Sequence, residues 1–534
     1  MAYIGRGLDN GVRNQFVFAA TQGQTSFSGA DSDGKTLAMT DILYTDCYQN
    51  GVKLKPTTDY TVSSTTLTLI SAASLNDVIN IVSFDIFAVP DTVPASTGGT
   101  FGGGIAAAGY SSSTAGTSNY IAGVNAGNSI TAGGNYNVTV GDEAGTAITT
   151  GDSNTAVGFE ALATEDTASR NTAIGFRSLK TNNGGDNNTA VGENSGTAVT
   201  TGHNNTLIGQ DAGEALTDAD YNTALGSDAL QSDTLGSKST AVGAAALSTQ
   251  NFTSATDSHN TAVGYEAGKA VTTGQYNTLV GSLTGDAMTT GENNVAMGQD
   301  ALTTNVAGDN VVAIGNEAAQ LLNPSGNVDM NGVYIGYQAG DEVTTGRHNT
   351  VIGALTANAL TTGSNNLLLG TTAGNADQPG GSISTGGGQI VLGNASSTNA
   401  HIQIDWTVAS DERDKTDFTA LDLGLDFVKE LEPVTYKWDK RAKYGNDIST
   451  ITHDGTHKED WLDVGFKAQA VEVLEKAAGY KIADKTNLTT SLTDDGKQYG
   501  LQYSKFVPIL VKALQELSEK NDALESRLAA LEAE

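Results

Sequence analysis

Between about residue 137 and residue 393 the chain repeats one short pattern of polar and apolar positions, polar-polar-apolar-apolar-glycine. Typical copies read Asn-Thr-Ala-Val-Gly, as at Asn154 to Gly158, Asn188 to Gly192 and Asn260 to Gly264. The closing glycines recur every 17 residues from Gly141 to Gly243, then continue to Gly393 with two steps of 21 and a last step of 23. A fixed period of this size marks a solenoid, whose units bury their apolar faces only by stacking on one another. Seventeen residues are too few for a helical hairpin, so the pattern predicts a β-solenoid.

Each position in the repeat carries its own expectation. The residue before the closing glycine is aliphatic or Met in all fifteen copies, from Val140 and Val157 to Leu392, and is expected to point into a dry interior. The residue three after the glycine is small, as at Ala144, Ser178 and Thr284, which suits a corner with the next coil only about 4.8 Å away. Asn heads the phrase in eleven copies, where stacked side chains can form amide ladders. The glycine itself fits a left-handed or strained corner. The two residues before it are mostly both apolar, as in Ala156-Val157, Val351-Ile352 and Leu368-Leu369. Neighbours on a strand point to opposite faces, so two buried faces are implied. A thin coil has one interior, and the second face most simply packs against other copies of the chain, giving a homotrimeric shaft. The composition of the repeat region resembles the left-handed β-roll heads of trimeric autotransporter adhesins. Fourteen steps of about 4.8 Å give a shaft of roughly 70 Å.

The pattern changes on both sides of the repeats. Residues 1–95 alternate like short strands, in Gln15 to Ala19, Asp46 to Leu54, Tyr60 to Val62, Thr66 to Ile70 and Val78 to Phe84, with Asn50-Gly51 as a two-residue hairpin signal. This predicts a small β-sandwich. The run Tyr48-Gln-Asn-Gly-Val-Lys-Leu, with Asp59-Tyr-Thr and Asp77-Val-Ile, is similar to a module at the front of phage tail fibre proteins, which implies a virion-proximal position. Residues 96–118 read as a Gly, Ser and Thr linker rather than a phosphate-binding loop, since no strand-loop-helix context or lysine accompanies the glycines. Insertions at Thr249 to His259, Leu321 to Asn331 and Asn375 to Gly387 are expected as surface loops able to contact a ligand. At the C-terminal end Leu510, Leu514, Leu517, Asn521, Leu524, Leu528 and Leu531 alternate spacings of 4 and 3, a heptad seam in which Asn521 fits a register-setting polar residue.

Charge narrows the partners. The chain has 60 acidic and 28 basic residues, a net charge of -32, and residues 119–398 hold 25 acidic against 6 basic. Nucleic acid and anionic membrane surfaces are disfavoured, because affinity for them comes from Lys and Arg. The single cysteine, Cys47, excludes an intrachain disulfide and fits folding in a reducing cytoplasm. The first ten residues lack the charged start and apolar core of a signal peptide, and no run of about 18 apolar residues occurs, so membrane insertion is not expected. The histidines and carboxylates show no metal-ligand spacing, and neither a metal nor a cofactor is expected.

The most specific signal lies just after the repeats. Of the 28 basic residues, 17 fall in 410–534. The junction reads Trp406-Thr-Val-Ala-Ser410-Asp-Glu-Arg-Asp-Lys415, followed by Pro433-Val-Thr-Tyr-Lys-Trp, Val464-Gly-Phe-Lys-Ala-Gln-Ala-Val-Glu and Gln502-Tyr-Ser-Lys-Phe-Val-Pro-Ile-Leu. Ser-Asp-x-Arg-x-Lys directly behind a β shaft resembles the start of the C-terminal intramolecular chaperone domain of phage tailspikes, endosialidases and tail fibres. The resemblance implies a trimeric domain that guides folding of the shaft and then cuts the bond before its serine. Carried over, Ala409-Ser410 is the scissile bond, Ser410 the nucleophile and Lys415 the base, with Asp411 and Arg413 in support. Asp414 stands where that family usually has an aliphatic residue, and a carboxylate there favours the charged form of Lys415.

The expected fold is mainly β: an N-terminal β-sandwich (1–95), the linker (96–118), a trimeric parallel β-solenoid shaft (119–398), a junction strand (399–409) and an α+β chaperone domain ending in a coiled-coil helix (410–534). The expected function is that of a phage tail fibre, assembled in the host cytoplasm, attached to the virion through its N-terminal domain and binding a cell-surface receptor, glycan or protein. At most the chain is a self-cleaving Ser-Lys endopeptidase acting once in cis. The rival reading is a tailspike depolymerase that hydrolyses surface glycan. It calls for a deep groove with paired carboxylates, which short uniform coils do not offer.

Overall fold

A computed structural model describes residues 13–39, 45–83, 115–375, 381–403, 406–444 and 451–533. The chain divides into two compact units, residues 1–107 and 108–534. Most of the linker read from the sequence, and part of the third insertion, lie outside the described residues.

Among the described residues of the first unit, seven strands form two antiparallel sheets. They are β1 (Asn14–Ala19), β2 (Gln24–Ser28), β3 (Thr45–Gln49), β4 (Val52–Lys53), β5 (Tyr60–Val62), β6 (Thr66–Ala73) and β7 (Val78–Ser83), in the orders β1-β7-β3-β4 and β2-β6-β5. Period-two alternation sends Phe16 and Phe18 of β1, Leu67 and Leu69 of β6, and Ile79 and Ile81 of β7 into one core. Asn50 and Gly51 both take positive φ between the paired Gln49 and Val52, as the two-residue hairpin required. The strand β2 carried no clear sequence signal.

The repeats of the second unit form a sixteen-stranded parallel sheet running from Tyr120–Ala122 to Ile390–Leu392. Successive coils stack in register, Thr155 on Thr172 and Ala156 on Ala173, with no residue lost between them. One coil more than the fifteen counted by glycines is present. Its phrase, Asn119 to Gly123, precedes the next by 18 residues instead of 17.

The head asparagines are buried and joined as a ladder, though chiefly to backbone rather than to one another. The Oδ1 of Asn171 accepts from the backbone N–H of Asn188 at 2.8 Å, and its Nδ2 donates to the Gly185 carbonyl at 2.8 Å. The same pair of bonds recurs at Asn188, with Asn205 and Gly202. Each side chain thereby satisfies one donor and one acceptor that the turns leave open. A second ladder runs in the opposite sense just before the phrase. There the backbone N–H of Ser169 donates to Asp186, that of Asp186 to His203 Nδ1, and that of His203 to Asp220. The closing glycines hold φ between 83° and 146°. At Gly192 a Cβ would stand 2.3 Å from the carbonyl oxygen of Gly209 in the next coil. Close stacking forbids a side chain there as firmly as φ does.

Two expectations are corrected. The residue before the closing glycine points outward, not inward: Ile174, Leu225 and Ile352 are exposed, whereas their neighbours Ala173, Ala224 and Val351 are fully buried. Alternation was read correctly and its phase was inverted. The insertions, in turn, are mostly absorbed into the coils instead of standing off as loops. Gln250 and Phe252 are buried, and Thr256–Asp257 pairs in parallel with Gly236–Ser237. In the second insertion Met330 is buried, and Val328 and Asp329 pair with Gly308 and Asp309. The longest exposed runs within these two insertions are the tips, residues 253–255 and 325–327.

Candidate autoprocessing site

The described part of 399–409 forms no strand, contrary to the junction strand expected there. Beyond it the chain is an α+β segment with, among the described residues, three α-helices, α1 (Leu425–Glu430), α2 (Ala468–Ala477) and α3 (Phe506–Glu532), and two short antiparallel strand pairs, Val434–Tyr436 with Asp463–Gly465 and Thr490–Leu492 with Tyr499–Leu501. Leu423, Phe427, Val471, Phe506 and Ile509 form its small core. Glu475 on α2 is fully buried and accepts from the backbone N–H and hydroxyl groups of both Thr489 and Thr490, which ties that helix to the last strand pair. This clamp had no sequence signal, since a lone Glu in an amphipathic helix reads as surface.

Ser410 and Lys415 are brought together by a single turn. Asp411 caps a 3-10 helix, Glu412–Asp414, by accepting from the backbone N–H of Arg413 at 2.9 Å, and pairs with the Arg413 guanidinium at 2.6 Å. The Arg413 side chain, helped by that N–H, holds the Asp411 carboxyl below the usual carboxylate range. The turn carries Lys415 back over the start of the segment, where Nζ donates to Ser410 Oγ at 2.5 Å and to the Ser410 carbonyl at 3.2 Å. Among the described residues Lys415 makes no ion pair with Asp414. The serine, the lysine and Ala409 are all exposed in the single chain.

The segment also touches the end of the shaft. Lys440 Nζ donates to the carbonyls of Ala395 and Ser397 at 2.9 and 3.3 Å, and the backbone N–H of Ser382 in the last insertion donates to Asp495 at 3.3 Å. On α3 the heptad leucines face solvent, Leu514 and Leu531 being 67 % exposed, while Ile509 and Ala513 pack inward. Asn521 lies on the exposed part of the helix and donates to Glu525 at 2.9 Å.

No curated protein and no solved structure matches the chain. Residues 410–480 match the family model described as the chaperone of endosialidase, a match that begins on Ser410, and a segment of that kind behind a β-solenoid shaft fits a tail fibre or tailspike with a C-terminal chaperone domain.

Proposed function

We propose that the chain is a homotrimeric phage tail fibre, in which residues 410–534 align three shafts and then release themselves by cutting Ala409-Ser410. The observation that carries the reading is the contact of Lys415 Nζ with Ser410 Oγ at the first residue of the matched segment. Two unpartnered apolar surfaces support assembly: the outward aliphatic column along the sheet and the exposed leucine seam of α3. The N-terminal sandwich joins the virion, and the shaft meets the host receptor.

The chemistry follows from placement. Lys415 must be neutral to act as a base, which desolvation by neighbouring copies brings about. Its amine then takes the Ser410 hydroxyl proton as Oγ attacks the Ala409 carbonyl carbon. The C–N bond breaks, and the departing nitrogen of Ser410 takes the proton back from Lys415. An ester between Ala409 and Ser410 Oγ remains, and water hydrolyses it to a carboxylate at Ala409 and the free serine hydroxyl.

The test is expression of the whole chain, followed by sedimentation and N-terminal sequencing of the smaller product. A trimer with a product that starts at Ser410 is expected. An intact chain in a confirmed trimer refutes the cleavage, and a folded monomer refutes the assembly.

A further inference from the structure

Counted from the head of each phrase, two interior positions of the shaft vary together. Among the fourteen coils headed by residues 119 to 349, nine have Gly or Ala at position 9 and an aliphatic residue or Met at position 12, as in Gly196 with Val199, Gly268 with Val271 and Ala357 with Leu360. The other five have Leu at position 9 and a polar residue at position 12. They are Leu162 with Glu165, Leu179 with Asn182, Leu230 with Asp233, Leu247 with Gln250, and Leu302 with Asn305, and all ten side chains are fully buried. None of these fourteen coils mixes the two sets.

The geometry explains the coupling. A Cβ on Gly196 would lie 2.7 Å from Leu207 of the next coil, 3.0 Å from Leu179 of the one before and 3.3 Å from Val199 of its own, so the room beside position 9 is taken by position 12 together with the third residue of the phrase, which is Ala in every leucine coil and in the coil after it. When a leucine takes that room, the position-12 side chain has to turn away, and it turns towards backbone. Asn182 accepts from the N–H of Gly185 and donates to its carbonyl, and Asn305 does the same with Gly308. Asp233 accepts from the N–H of Gly236, and Glu165 from that of Ala168. Backbone conformation does not make the choice, because Leu179 and Gly196 are both left-handed, with φ of 48° and 61°.

Four of the five polar coils come as adjacent pairs, the acid first and the amide next. Asn182 Nδ2 donates to Glu165 Oε2 at 2.8 Å, and Gln250 Nε2 donates to Asp233 Oδ2 at 2.5 Å. We propose that these acid-amide coil pairs are register marks, which fix which coil stacks on which in a shaft whose other coils are nearly interchangeable. A solenoid of uniform 17-residue coils can extrude one coil and close on the next, losing a single layer of packing. With the marks in place that slip is penalised. Extruding residues 171–187 sets Glu165 against Val199, and extruding 154–170 sets Asn182 against Ile148, leaving a buried polar group without its partner.

The test uses the full chain with its first mark converted to the common coil type, Leu162→Gly with Glu165→Val, Leu179→Gly with Asn182→Val, and Ala173→Leu between them, the arrangement of Leu207 between Gly196 and Gly213. A second variant adds a new mark to the same chain, Gly196→Leu with Val199→Glu and Gly213→Leu with Leu216→Asn, and Leu207→Ala, because Leu207 would otherwise meet both new leucines. Limited proteolysis read by mass spectrometry is expected to find cuts within 137–221 in the first variant at several-fold the wild-type yield, and to return to the wild-type map in the second. A wild-type map for the first variant overturns the proposal. So does a first variant that fails to fold and is not restored by the new mark, since the polar pairs are then interior packing alone.

Discussion

Val351 and Ile352 are neighbours on one three-residue strand, and the first is completely buried while the second is 39 % exposed. The apolar pair that ends each phrase is thus divided between the interior of the coil and its outer surface. Val351→Asp is expected to unfold the shaft locally and to lower the melting temperature, because an unpaired buried charge costs several kcal/mol. Ile352→Asp is expected to leave the circular dichroism spectrum unchanged and to shift sedimentation towards monomer. A trimer that survives Ile352→Asp together with Ile174→Asp removes the outer column from the interface.

The cleavage chemistry separates into two roles. Ser410→Ala and Lys415→Ala are each expected to give uncut chains on a denaturing gel while the trimer persists, since neither side chain is buried in the segment core. Asp411→Ala removes the cap of the turn that returns Lys415 to Ser410, and slower cleavage is expected, with Asp411→Asn retaining more activity because Asn also caps. Cleavage by Lys415→Ala at the wild-type rate excludes it as the base.

Glu165 gives the shaft a pH dependence. Burial pushes its carboxyl up from 4.5 to about 7 despite the N–H of Ala168 that it accepts from. The folded shaft therefore prefers the protonated acid. The associated stability is fully present below about pH 4.5 and is lost as pH rises through about 7, a change on the order of 3 kcal/mol. Denaturant unfolding at pH 5 and pH 8 measures it, and Glu165→Gln is expected to flatten the difference.

Removal of one ladder residue tests the Asn column. Asn188→Ala leaves the N–H of Asn205 and the carbonyl of Gly202 without partners in a closed interior, at about 2–4 kcal/mol for the two. Gly192→Ala is expected to cost more, because the added methyl meets the Gly209 carbonyl at 2.3 Å and the backbone must move. Thermal unfolding of the two variants orders them, and the reverse order refutes the close-stacking argument.

Much of this fold could be read from single residues because a solenoid reuses one environment. The 17-residue period, the parallel stacking, the buried Asn column and the positive-φ glycines all follow from repetition, which shows in sequence without any tertiary knowledge. The Asn50-Gly51 hairpin and the Ser410 to Lys415 motif are visible in the sequence too, each through its own residues. Where the period broke, the signal failed. The coil at Asn119 was lost to one extra residue, and the ladder through Ser169, Asp186 and His203 was hidden because its acceptors differ chemically.

Only the tertiary structure decided which way the phrase faces. Alternation along Val351-Ile352 states that the two side chains oppose each other, but the side on which the coil closes depends on where the chain turns after each glycine. The same holds for Leu162 and Glu165, whose exchange of space across a turn is invisible until both lie in one closed interior. It holds also for Asp411, since a cap that returns Lys415 to within 2.5 Å of Ser410 is a property of backbone path, which spacing alone leaves open. Sequence fixes what each residue prefers, and the closing of the chain on itself decides which neighbour receives it.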